Sequence, residues 1–91
     1  MLTLDKLAVY RRFGGDIDAW ARSSKPGDPS AMTDGDWFLI DELRQALAMV
    51  ASGLAAPEFS ASVEGRLVAC TADEQTRHAL REFVTSPPAK P

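Results

Sequence analysis

Apolar positions recur at intervals of three and four along most of this chain, and the clearest run lies between Thr33 and Leu54, T-D-G-D-W-F-L-I-D-E-L-R-Q-A-L-A-M-V-A-S-G-L. At about 100° per residue, Ile40, Leu43, Leu47, Val50 and Leu54 fall on one line flanked by Leu39, Ala46 and Ala51, which predicts an amphipathic helix. Thr33 is a suitable N-cap, and Asp36 completes a capping box with a short acid. Gly53 and Pro57 mark the other end. A helix over about 34–54 is roughly 30 Å long, whereas a domain of this size has a radius of gyration near ~12 Å. It therefore spans the domain and needs other elements packed on it.

The same periodicity supplies those elements. Leu2 to Phe13 is apolar on nearly every side except toward Asp5 and Arg12, so this first helix is expected to be well buried or shared with a partner. Gly14-Gly15 ends it, and D-I-D-A-W-A-R, Asp16 to Arg22, follows as a short helix with Ile17, Trp20 and Ala21 on one face. The Pro-, Gly- and Ser-rich stretch Ser23 to Met32 reads as a surface loop. After the long helix, Pro57 opens a fourth helix with a Phe59, Val63, Leu67, Cys70 stripe. Thr71 with Glu74 forms a T-x-x-E box ahead of a fifth, whose inward face is Ala72, Thr76, Ala79, Leu80 and Phe83. The segment S-A-S-V-E-G-R-L-V-A comes nearest to a strand, but its helical stripe and Pro57 favour a helix. The expected fold is all-α: a single small domain of about five helices over residues 1–86, around one long central helix, with a disordered Pro-rich tail at 87–91.

Composition narrows the function classes more than it selects one. Ninety-one residues support one core and not two domains. No apolar run approaches the length of a membrane span, and the charges scattered through M-L-T-L-D-K-L-A-V-Y-R-R-F do not make a signal peptide. A single cysteine, Cys70, allows no internal disulfide. These features together lead us to expect a cytoplasmic protein, and alanine richness with arginine outnumbering lysine suggests a bacterial, GC-rich genome. The net charge of −3 argues against broad nucleic-acid binding, which requires a clustered positive surface.

No catalytic, metal or nucleotide motif stands at a usable spacing. The D-x-D pairs Asp16/Asp18 and Asp34/Asp36 are oxygen donors of the right kind for a hard divalent ion but lack the further ligands of a calcium loop, and helix capping accounts for them. Cys70 belongs to an apolar stripe, and His78 faces water between Glu74 and Glu82 on a different helix, so no thiol–imidazole pair is expected. Gly14-Gly15 lacks the further glycines of a phosphate loop. No cofactor, metal ligand or catalytic residue is expected.

The apolar residues left off the core stripe are the candidates for function. Phe38 and Met49 project opposite Leu47 beside Glu42 and Gln45, and Trp37 borders Arg44 at the edge; Tyr10 and Arg12 beside Trp20 make a second candidate patch. The expectation is a small non-enzymatic helical protein acting through protein–protein interaction, with itself as a homodimer or with another protein. The alternative is a DNA-binding regulator reading a groove with Gln75, Arg77 and Arg81 of the last helix, diluted by Glu74 and Glu82. A metal-binding or thiol enzyme is the remaining alternative, resting on the aspartate pairs and Cys70.

Overall fold

The long apolar stripe does form the central helix. A computed structural model describes residues 1–23 and 32–85, the side chains of 84 and 85 excepted; most of the expected loop and the Pro-rich tail lie outside the described residues. Those described form five α-helices: α1 (Leu4–Arg12), α2 (Ile17–Ser23), α3 (Asp34–Ala51), α4 (Pro57–Cys70) and α5 (Glu74–Thr85). α3 packs against α1, α4 and α5. None of the described helices is long and apolar enough to cross a membrane.

Capping chemistry sets most of the helix ends. The Thr33 hydroxyl accepts from the Asp36 N–H at 3.2 Å, and the Asp36 carboxylate accepts from the Thr33 N–H at 3.0 Å, which is the capping box expected for α3. Asp16 caps α2 by accepting from the Ala19 N–H at 3.1 Å. Pro57 occupies the first turn of α4. The core comprises Leu2, Leu7, Val9, Tyr10, Trp20, Met32, Trp37, Ile40, Leu43, Leu47, Val63, Leu67, Leu80 and Phe83.

Several boundaries differ from the sequence reading, each for a local reason. The helix expected over 34–54 stops at Ala51, because Gly53 turns into the left-handed region at φ 78° and the Ser52 hydroxyl donates back to the Met49 carbonyl at 2.6 Å. Leu54 thus leaves the stripe and is 89% exposed. Phe59, at the first turn of α4, is also exposed, whereas Val63 and Leu67 are buried. Ala21 of α2 and Ala72 before α5 face solvent and not the core.

Leu2 lies outside α1. Thr3 is extended and caps that helix, so Leu2 forms a one-residue parallel bridge, donating to the Cys70 carbonyl at 2.7 Å and accepting from the Ala72 N–H at 2.9 Å. This bridge also removes Thr71 from the role of N-cap. Asp73 caps α5 instead, accepting from the backbone and hydroxyl of Thr76, each at 2.8 Å, while the buried Thr71 hydroxyl donates to the Leu67 carbonyl and accepts from Arg77. A one-residue bridge has no periodicity by which a sequence could reveal it.

Candidate interaction face

The candidate residues separate into an interior group and an exterior group. Trp37 is fully buried among Tyr10, Trp20 and Phe13, with ring centroids 5.1, 5.5 and 6.5 Å away, and Tyr10 stacks on Phe83 at 5.7 Å. These offset and tilted contacts suit the ring quadrupoles. Trp37, Tyr10 and Trp20 are therefore covered by the chain itself and do not belong to an outward patch, contrary to their place among the candidate surface residues. On the helical wheel Trp37 lies beside the stripe, but α1 and α2 bring their aromatics onto that flank. Arg12 stays exposed, its guanidinium 5.1 Å from the Phe13 ring centroid.

A polar contact spans this aromatic cluster. The Tyr10 hydroxyl donates to the Asp41 carboxylate and accepts from Arg44 Nη1 at 3.1 Å. Burial pushes the Tyr10 phenol above its ordinary pKa; the Asp41 carboxylate adds to the rise and Arg44 opposes it. Gly15 makes room for the ring, since a Cβ built there would lie 3.1 Å from the Tyr10 hydroxyl oxygen, and its φ of 79° is itself unfavourable for other residues. Asp41 and Arg44 lie on α3, far along the chain from Tyr10, and no local pattern connects them to it.

The exterior group lies on one face of α3. Phe38 and Met49 are 63% and 55% exposed, and the exposed Glu42 and Gln45 lie between them at spacings of four, three and four residues. By helix geometry these four side chains share an arc of about 60°, with about 16 Å between the outer two. The opposite side of the helix carries Leu43 and Leu47 into the core. Phe38 and Met49 are thus apolar side chains that the described residues leave uncovered.

Two carboxylates of α3 are paired by neighbouring helices. Lys6 of α1 reaches Asp36 at 3.1 Å, and Arg66 of α4 reaches Glu42 at 2.8 Å. Burial would by itself raise the Asp36 carboxyl, but donation from Lys6 and Thr33 outweighs it and holds the group below its ordinary value. The Glu42–Arg66 pair and the short connection between the helices set α4 antiparallel beside α3. Phe59, about two turns before Arg66, is consequently level with Met49, about two turns after Glu42. Phe59 is likewise an exposed apolar side chain.

The basic groups of α5 are likewise engaged within the chain. Arg81 Nη2 lies 2.6 Å from Glu64, Arg77 donates to Thr71 at 3.2 Å, and His78 lies 3.2 Å from Glu82. Glu74, Gln75 and His78 border an open depression of about 400 Å³. Among the described residues, no three His, Cys, Asp or Glu side chains come together as a metal site. Asp16 and Asp36 serve as caps, and Cys70 is half-buried at the end of α4 with its carbonyl in the Leu2 bridge.

No protein-family model matches this chain, and no curated protein or solved structure matches it. The functional reading accordingly rests on the geometry of the face.

Proposed function

We propose that this chain is a small non-enzymatic interaction protein, and that the outward face of α3 is where it meets another polypeptide. The observation that carries this reading is the pair Phe38 and Met49, both largely exposed on one face of a helix that packs against α1, α4 and α5. Aromatic and methionine side chains are enriched in the cores of protein interfaces. Full burial of such a side chain is worth roughly 1.5–3 kcal/mol relative to full exposure, and the part belonging to the exposed half or more of each is not realised while the face stays in water. The half-buried Arg77, which donates to Thr71, supports the same choice, because a groove-reading helix needs its guanidinium groups free.

The test is site-specific photo-crosslinking in cells. A benzophenone side chain at position 38 is expected to form adducts with a polypeptide, a second copy included, and the same probe at the exposed Gln75 of α5 is expected not to. Absence of adducts from position 38 in abundantly expressed protein refutes the reading.

A further inference from the structure

We infer that the partner on this face is a second copy of the chain, packed antiparallel across a two-fold axis that passes between Glu42 and Gln45. The inference rests on the reading that the outward face of α3 contacts a polypeptide, and it adds the identity of the occupant and the register. The exposed stripe runs Phe38, Glu42, Gln45, Met49, apolar at both ends and polar in the middle, with spacings of four, three and four that are the same from either end. A two-fold axis at its centre brings Phe38 of one copy onto Met49 of the other and Glu42 onto Gln45, so each position meets a chemically suitable group twice. Such self-complementarity is the property an isologous interface requires.

Charge points the same way. The segment containing α3 is acidic, but Asp36 is held by Lys6, Asp41 accepts from Tyr10, and Glu42 is held by Arg66. Of these Glu42 lies on the exposed face; the exposed Asp34 also lies there, beside Phe38, and an antiparallel register keeps the two copies' Asp34 residues about 28 Å apart. In the antiparallel register the Glu42 carboxylate, already matched by Arg66, also meets the donor –NH₂ of Gln45. A parallel pairing would place Glu42 against Glu42, and like charges directly opposed are disfavoured.

Light scattering over a concentration series tests this with the full chain, after circular dichroism has shown that each variant retains the parent's helicity. The parent mass is expected to rise from 9.9 kDa toward twice that value. Phe38→Glu and Met49→Lys are each expected to weaken self-association by about tenfold or more. Combined in one chain, the two substitutions are expected to restore it, because the introduced carboxylate of one copy faces the introduced ammonium of the other. A parent that stays at 9.9 kDa up to about 1 mM, or a double variant that associates no better than the single ones, overturns the inference. If the parent is monomeric while position 38 still crosslinks to a different polypeptide, the two-fold assembly fails and the interaction face stands. If position 38 forms no adduct at all, both fail.

Discussion

Removing one oxygen atom from Tyr10 tests whether the contact between α1 and α3 is as structural as its geometry implies. Tyr10→Phe preserves the ring and its neighbours Trp37 and Phe83 while deleting the hydroxyl that donates to Asp41 and accepts from Arg44. Hydrogen bonds to charged groups are worth about 1.5–3 kcal/mol. Asp41 and Arg44 are only half-buried, so water can re-solvate them in the variant, and the lower end of that range applies. A loss of about 1.5–2 kcal/mol lowers the melting temperature of a domain of this size by roughly 6–16 °C, at about 4–8 °C per kcal/mol. Thermal unfolding followed by far-ultraviolet circular dichroism reads the shift directly. A double-mutant cycle with Asp41→Ala should show a coupling of about 1 kcal/mol, which separates the bond from other effects of either change. A Tyr10→Phe protein melting within about 2 °C of the parent, with additive effects in the cycle, would refute the reasoning.

Other outcomes follow from the same packing. Trp37→Ala is expected to cost about 3–5 kcal/mol in urea unfolding, against about 0.5 kcal/mol or less for the neighbouring Phe38→Ala, because Trp37 is fully buried and Phe38 is exposed; similar costs for both would contradict the assigned faces. Gly15→Ala combines a φ of 79° with a contact 3.1 Å from the Tyr10 hydroxyl, so a loss of about 1–2 kcal/mol or more is expected, and equal or greater stability would show that the turn relaxes freely. The chain has one tyrosine, so its phenolate absorbance reports on Tyr10 alone, and its midpoint should lie above the ordinary value of 10.0. A raised folded pKa means that this contribution to stability is complete below the unfolded value and is lost as pH rises through the folded one, so urea midpoints should decline at alkaline pH. Asp36 behaves in the opposite sense: its folded pKa is depressed below 3.8, so its contribution is complete above that value and is lost as pH falls through the folded one, and Lys6→Ala should reduce that acid dependence.

How much of this arrangement was legible before the fold was known depends on the range of the interaction. The α3 capping box, the buried line Ile40, Leu43 and Leu47, and the outward placement of Phe38 and Met49 follow from residues three or four apart on one helix. Those positions are neighbours wherever the helix forms. Trp37 shows the limit: its angle on α3 is intermediate, and its burial depends on Tyr10 and Trp20 arriving from other elements. Asp41 and Arg44 read as ordinary helix-surface charges until Tyr10 is placed beside them. Leu54 failed in the other direction, since periodicity extends the stripe to it whereas the Ser52–Gly53 turn removes it.

By itself, the sequence determined the all-α class, the central helix and the face of α3 that carries Phe38 and Met49, because apolar periodicity and capping act over a few residues. Only the tertiary structure decided that Trp37, Tyr10 and Trp20 are interior, that Leu2 bridges to Thr71, and that Arg66 neutralises Glu42 at the middle of the exposed face. Those outcomes depend on which helices become neighbours, and that choice is made by the packing of the whole core, with no single segment carrying a record of it.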